Sequence, residues 1–156
     1  MFRTVVWATD GSDVADGSLP VVKELADHEG ARVVVVHANE VLIGRAGGAP
    51  VLADEPDLLR KIEGQAEALR DDGYDATFTV ATGATHDAAR LIADAARALR
   101  ADVIVVGTRG RSTIAGLIVG SVTHRLLHVA PCPVLAVPPA GRMARKRDRA
   151  HAAAAS

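Results

Sequence analysis

The residues with the clearest chemical pattern in this chain are three glycines in its last third. Gly107, Gly110 and Gly120 precede two hydroxyl side chains, Ser121 and Thr123. A glycine has no Cβ, so its backbone can approach a ligand closely. The Gly120–Ser121 step coincides with a predicted helix start, where unpaired N–H groups and the helix dipole attract anions. Phosphate is the usual anion at such a position, so the pattern predicts a phosphate site.

Positive charge in the same loop strengthens this interpretation. Arg109 directly precedes the second glycine, Gly110, and Arg111 directly follows it. Both side chains can bind phosphate. The alternative is that the glycines only form the turns of an ordinary α/β crossover. The ligand-binding interpretation is favoured, because three glycines occur together with a helix start in register and hydroxyl side chains beside it.

Short apolar segments flank the glycine loop and are predicted to hold it in place. Val103 to Val106 and Val134 to Val137 are too short for helices and rich in β-branched residues, as buried strands are. A helix is predicted between them, ended by Pro131 and Pro133. Its predicted inward face consists of Val122, Leu126, Leu127 and Ala130.

The rest of the chain alternates between strand and helix patterns. Three more strands are predicted, at Thr4 to Ala8, Arg32 to Ala38 and Ala76 to Ala81. Three more helices are predicted. The first begins near Ser18 with Pro20 in its first turn, and the second covers Asp57 to Asp72. The third is capped by Thr85 and has Asp87 in its first turn, and its predicted inward face consists of Ala88, Leu91, Ile92, Ala95 and Leu99. Asn39 to Pro56 is predicted to be a long mobile loop. This alternation predicts an α/β fold with a doubly wound parallel sheet.

Asp10 is the candidate ligand-binding carboxylate. It directly follows the first predicted strand, and ligands of open parallel sheets bind beyond the carboxyl ends of strands. A turn or cap aspartate is the alternative, because Gly11 comes next. Position alone does not decide between these two roles.

Composition and the remaining motifs exclude several classes of function. A formal net charge of −1 does not indicate a nucleic-acid partner, and no apolar run is long enough to span a membrane. The single cysteine, Cys132, excludes an internal disulfide and is interpreted as a packed thiol. We expect a cytoplasmic protein, because no signal-peptide pattern opens the chain.

No catalytic set is evident in the sequence. His37 is interpreted as an ordinary strand-end histidine. His124 and His128 have a metal-binding spacing but lack an evident third ligand, so solvent-facing or interface histidines are the favoured interpretation. Neither the P-loop motif nor the G-x-S-x-G nucleophile motif occurs.

The glycine spacing resembles that of a known family. Gly107-x2-Gly110-x9-Gly120-Ser121 matches, without gaps, the G-2x-G-9x-G-(S/T) signature of the ATP-binding branch of the universal stress protein family. Thr9-Asp10-Gly11-Ser12 and the segment 131–138 are also similar to that family. The similarity covers residues 3–138, and this spacing is far more specific than a lone glycine pair.

The resemblance implies a fold, a ligand and a set of binding residues. The fold would be Rossmann-like, of the adenine nucleotide alpha hydrolase type, with strand order 3-2-1-4-5, in a domain of residues 1–139. A basic, alanine-rich tail of residues 140–156 would follow, as a marginal helix or a disordered arm. ATP with Mg²⁺ would be bound, and the last strand, Val134 to Val137, would pair two chains into a homodimer. Adenine would lie near Ala8, Asp10, Ala38 and Val106, and the phosphates over Gly107, Arg109, Gly110, Gly120, Ser121, Val122 and Thr123.

The function implied is that of an ATP-binding sensor or regulator that hydrolyses ATP slowly or not at all, with an unidentified regulatory protein as a further partner. Three alternatives stay open. The chain could bind another adenine nucleotide, AMP or cAMP; it could be an adenylating enzyme of the related superfamily; or it could be an interaction module that has lost the nucleotide.

Overall fold

The computed structural model describes residues 2–39, 41–42, 51–52, 56–83, 87–108 and 119–139. Its strands are β1 (Thr4–Ala8), β2 (Arg32–Ala38), β3 (Val41–Leu42), β4 (Val51–Leu52), β5 (Ala76–Ala81), β6 (Val103–Gly107) and β7 (Val134–Val137). Its helices are α1 (Asp13–Asp16), α2 (Leu19–Glu29), α3 (Pro56–Asp71), α4 (Ala88–Ala98) and α5 (Ser121–Val129).

Five of the strands form one parallel sheet in the order β5-β2-β1-β6-β7. Without the short strands β3 and β4, this is the order 3-2-1-4-5 that the resemblance implied. The predicted doubly wound α/β fold is therefore confirmed. The chain passes from β1 through β2 to β5 on one side of β1, and then crosses over by α4 to β6 and β7 on the other side. The topological switch point therefore lies between β1 and β6.

The two faces of the sheet are buried by different helices. Alternate residues of each strand point to opposite faces, and the inner strands are apolar at both sets of positions. On one face Val5, Trp7, Val33 and Val35 pack with Val22 and Ala26 of α2 and with Ile62, Ala66 and Leu69 of α3. On the other, Val6, Val34, Val36, Ile104 and Val106 pack with Ala89, Ile92, Ala93 and Ala96 of α4 and Leu126 of α5.

The first helical region is broken in two by Gly17, Ser18 and Pro20. Pro20 lies in the first turn of α2, as predicted, where its missing N–H breaks no helical hydrogen bond. The buried indole N–H of Trp7 donates to the Ser18 hydroxyl at 2.9 Å, and that hydroxyl donates to the Ala15 carbonyl at 2.6 Å. The side chain that could have capped α2 thus anchors the α1–α2 junction to β1 instead.

Asp102 joins the amino ends of β1 and β6. Its carboxylate accepts hydrogen bonds from the backbone N–H groups of Arg3 and Thr4, both at 2.8 Å. The bonds from Thr4 and Arg3 stabilise the charged carboxylate and hold the pKa of Asp102 below its ordinary value.

Two predictions about local structure are wrong. Within the segment predicted as a loop, Val41–Leu42 and Val51–Leu52 form an antiparallel pair and Pro56 already belongs to α3. Residues 40, 43–50 and 53–55 of that segment lie outside the described residues. The cap of α4 is Asp87, whose carboxylate accepts from the Arg90 N–H at 3.3 Å, and not Thr85, which lies outside the described residues. An aspartate one position before the helix serves as a cap as well as threonine does.

The inward-facing residues of α4 and α5 also differ from the predicted ones. In α5, Val122 and Leu127 are 38% and 52% exposed, whereas Thr123 and Leu126 are buried. In α4 the most deeply buried residues are Ala89, Ala93 and Ala96, together with the predicted Leu91 and Ile92; Ala88, Ala95 and Leu99 are half-buried. Small alanines let α4 approach the sheet closely, and the apolar period does not show where they face.

Among the helices that the structure describes, none has the length and apolar character needed to cross a bilayer. The predicted tail of residues 140–156 lies outside the described residues, so the predicted domain boundary stays a prediction.

Candidate functional site

The candidate site is the crevice beyond the carboxyl ends of β1 and β6, at the switch point of the sheet. Ala8 is in register with Val106 on one side and with Val36 on the other. Ala38 ends β2 at the same edge, two residues beyond Val36. The sheet therefore brings three of the predicted adenine-binding residues, Ala8, Ala38 and Val106, to one edge.

The loop after β1 is held by hydrogen bonds between its own residues. The Asp10 carboxylate accepts from the Ser12 N–H at 3.1 Å and from the Ser12 hydroxyl at 2.6 Å. The Ser12 hydroxyl oxygen also accepts from the Ala15 N–H and so caps α1. The turn role that the sequence allowed for Asp10 is confirmed, and its role toward a ligand stays a prediction.

His37 supports this loop from the neighbouring strand. It is 2% exposed, and its Nδ1 lies 2.9 Å from the Thr9 carbonyl oxygen. A carbonyl can only accept, so Nδ1 carries the proton and donates. The prediction of an ordinary strand-end histidine is confirmed, with a positioning contact that the sequence did not reveal.

Gly11 and Lys61 are further parts of the loop that the sequence analysis did not select as site residues. Gly11 has φ +72°, and a Cβ there would lie 2.5 Å from Leu58 Cδ1 on α3. The Lys61 ammonium donates to the Gly11 carbonyl and lies 3.3 Å from the Asp16 carboxylate. Lys61 is fifty residues away along the chain, and no local pattern could have indicated this contact.

The amino end of α5 is fastened to the end of β6 by two hydrogen bonds. The Gly120 N–H donates to the Thr108 carbonyl at 2.6 Å. The Thr123 hydroxyl, which is 2% exposed, donates to the Gly107 carbonyl at 2.8 Å. In this structure the Thr123 hydroxyl therefore positions the helix. The predicted contact of Thr123 with phosphate stays a prediction, and its backbone N–H could also make that contact.

The first turn of α5 offers its backbone amides without competition from side chains. The cap residue is Gly120, which has no side chain, and the turn contains no acidic residue. By contrast, α1 is capped by Ser12 and α4 by Asp87. The unpaired N–H groups of Ser121, Val122 and Thr123 can therefore bind an anion beside the end of β6.

Comparison with known proteins identifies the family. The model of the universal stress protein family matches residues 1–138. This chain belongs to the universal stress protein family. The universal stress protein of Thermus aquaticus from the QAH/OAS sulfhydrylase 3′ region is 38% identical over 145 residues, covering 88% of this chain and 99% of the relative.

Solved structures of similar proteins agree in fold. The structure of protein MJ0577 superposes with a TM-score of 0.72 at 20% identity, covering 88% of this chain and 96% of that one, and this shows the fold alone. A universal stress protein solved in complex with cAMP superposes with a TM-score of 0.59 at 29% identity, covering 87% of this chain and 96% of that one.

Within this universal stress protein, the structure describes the two ends of the predicted phosphate loop. Arg109, Gly110 and Arg111 lie outside the described residues, so their predicted contacts stay predictions. Gly107, Gly120, Ser121, Val122 and Thr123 lie together at the junction of β6 and α5.

The described part of this family member contains no group of three or more histidine, cysteine or acidic side chains that could hold a metal ion. Cys132 is half-buried and packs against the α4–α5 face of the core. Burial raises the pKa of the Cys132 thiol, which keeps it protonated and a poor nucleophile. The interpretation as a packed thiol agrees with this environment.

An open depression of about 460 Å³ lies elsewhere, lined by Pro20, Lys23, Glu24, Asp27 and Tyr74. Its only cation, among these residues, is already paired: the Lys23 ammonium donates to the Asp72 carboxylate, and this bond chiefly raises the pKa of Lys23. The depression includes none of the predicted nucleotide-binding residues.

Proposed function

We propose that this universal stress protein binds an adenine nucleotide, ATP foremost, in the crevice between β1 and β6, and acts as a regulatory protein. The observation that carries the proposal is the first turn of α5. Its cap is a glycine, its first turn has no carboxylate, and hydrogen bonds to Gly107 and Thr108 hold it at the switch point. This arrangement favours phosphate oxygens at the helix start.

The adenosine end of the ligand would lie along the strand ends. Ala8 and Val106 are adjacent apolar residues, and Ala38 ends the next strand. Small side chains at these positions leave room for a flat base against the backbone. The 29% identical universal stress protein solved with cAMP supports an adenine nucleotide as the ligand class.

Mg²⁺ is the cation that we expect to accompany ATP. It prefers oxygen ligands and is usually held by one or two carboxylates together with substrate phosphates. Asp10 provides a carboxylate at the carboxyl edge of β1, next to the Ser12 hydroxyl. These donors fit Mg²⁺ chemistry, and Asp10 would hold the ion while the phosphates complete its coordination.

The direct test is to identify the bound nucleotide. Protein purified without added nucleotide is denatured, and any released small molecule is identified by mass; stripped protein is then titrated calorimetrically with ATP, AMP and cAMP. We expect ATP to be released or to bind most tightly. Tighter binding of AMP or cAMP would replace ATP as the proposed ligand. If none of the three nucleotides binds, the chain is better explained as an interaction module.

We predict that ATP is held and turned over slowly. Hydrolysis needs a residue that orients or deprotonates the attacking water, besides charge stabilisation of the phosphoryl group. Asp10 accepts from Ser12 and would hold Mg²⁺, and His37 is buried against the Thr9 carbonyl, so neither is placed as a general base. Turnover should be roughly one per minute or less, against about 1–100 per second for kinases.

Phosphate release by purified protein measures this turnover. Fast release that is abolished by Asp10→Ala would show an enzyme and contradict the prediction. An adenylating enzyme would instead release pyrophosphate when offered an acceptor, so pyrophosphate is measured in the same assay.

We further propose a homodimer formed through β7. This strand is an edge of the sheet, its sequence is wholly apolar, and Leu135 is 40% exposed. The opposite edge, β5, carries Thr77 and Thr79 and is less suited to pairing. An apolar edge strand is a template for pairing with a second chain.

Light scattering at micromolar concentration should therefore give twice the chain mass of 16.2 kDa. Leu135→Lys should shift the protein to the monomer, because a lysine on an edge strand opposes pairing. Thr77→Lys on the other edge is the matched control and should remain dimeric. A monomeric wild type would contradict the proposal.

A regulatory protein partner and the cytoplasmic location stay predictions.

A further inference from the structure

We propose that His124 and His128 form a two-histidine site for a divalent transition metal ion, Zn²⁺, Ni²⁺ or Cu²⁺, on the exposed side of α5. Both side chains are exposed and lie one helical turn apart. Neither takes part in the nucleotide site proposed above, so this inference does not depend on that function. Neutral imidazole is a preferred ligand of these three ions.

The distance between the two rings fits a shared ion. The ring centroids are 5.0 Å apart, and the ring planes are tilted by 41°. A metal–nitrogen bond of about 2.0–2.1 Å puts each ring centre about 3.2 Å from the ion, so a separation of 5.0 Å corresponds to an angle of about 100° at the metal. That angle lies between square-planar and tetrahedral coordination, and exposed side chains rotate freely enough to turn their nitrogens toward the ion.

The charges around the pair also permit a cation. Arg125, the cationic neighbour of His124 on α5, is turned to α4, where its Nε lies 2.8 Å from the Asp87 carboxylate. His128 lies in the last turn of α5, where the helix dipole favours positive charge. The adjacent arginine is therefore balanced by a carboxylate, and the helix dipole favours a cation at the His128 end of α5.

Two ligands make an exchangeable site rather than a structural one. The described residues contain no third histidine, cysteine or acidic side chain that completes a group of three, so water would fill the remaining positions. Structural zinc sites have four protein ligands, so we expect weaker binding here. Binding should follow the usual order, with Cu²⁺ tighter than Ni²⁺ and Zn²⁺.

The test uses tag-free, full-length protein titrated calorimetrically with Ni²⁺ and Zn²⁺ at about pH 7.5, because imidazole binds these ions in its neutral form. We expect one ion per chain. His124→Gln and His128→Gln should each weaken binding at least about tenfold, since each removes one of only two protein ligands, and tenfold corresponds to about 1.4 kcal/mol. Metal should also raise the melting temperature of the wild type and not of these variants.

A double variant with relocated histidine is the matched control. His124→Gln combined with Leu127→His keeps the number of histidines but makes them sequence neighbours, and adjacent helical residues do not face each other. Leu127 is largely exposed, so α5 should tolerate the change, which circular dichroism verifies. This control should bind as weakly as His124→Gln. Equal binding by the control and the wild type, or no binding by the wild type, would overturn the proposal.

Discussion

Gly120→Val should weaken adenine nucleotide binding by about a hundredfold or more and leave the fold intact. A valine side chain at the start of α5 would stand where phosphate must approach the N–H groups of the first turn. Losing two or more hydrogen bonds to a charged group, at about 1.5–3 kcal/mol each, accounts for this loss. Calorimetric titration of the purified variant with ATP measures it.

The fold should survive because Gly120 does not need to be glycine for conformational reasons. Its φ of −67° and ψ of 158° are extended values that any residue adopts, and its N–H bond to the Thr108 carbonyl does not involve a side chain. Ser121→Ala is the control: it removes one exposed hydroxyl and keeps the amides, so affinity should fall only a few-fold. Unchanged affinity in Gly120→Val would refute the assignment of the phosphate site.

Gly11→Ala should lower the free energy of unfolding by about 2–3 kcal/mol. The residue has φ +72°, which costs a residue with a Cβ about 1–2 kcal/mol, and the new methyl would lie 2.5 Å from Leu58 Cδ1. A domain with a total stability of about 5–15 kcal/mol would feel this change strongly. Urea unfolding followed by circular dichroism measures the effect.

Two other glycines separate backbone strain from the clash with Leu58. Gly30 has φ +59° and open space around its Cβ position, so Gly30→Ala should show the backbone cost alone. Gly64 is helical, with open space around it, and Gly64→Ala should raise stability by about 0.5–1 kcal/mol. If Gly11→Ala costs no more than Gly30→Ala, Leu58 moves aside and the clash contributes nothing.

The elements of this protein were largely determined by its sequence. The apolar strand segments and Pro20 in the first turn of α2 were predicted correctly. Each of these features depends on one residue's conformational limits or on a short apolar run, and such causes act within a few positions of the chain. The glycine spacing also led to the correct family.

The structure decided the features that depend on partners distant in the chain. The rotation of α5 about its axis is fixed by Thr123, whose hydroxyl donates to the Gly107 carbonyl. Leu126 is therefore buried, whereas Leu127, which the apolar period assigned to the core, faces outward. Lys61 reaches the Gly11 carbonyl from a helix fifty residues away. An apolar period predicts that a helix forms but does not determine how the helix is rotated against the sheet. The hydrogen-bond partner of a polar side chain depends on which group the packed fold brings within hydrogen-bonding distance.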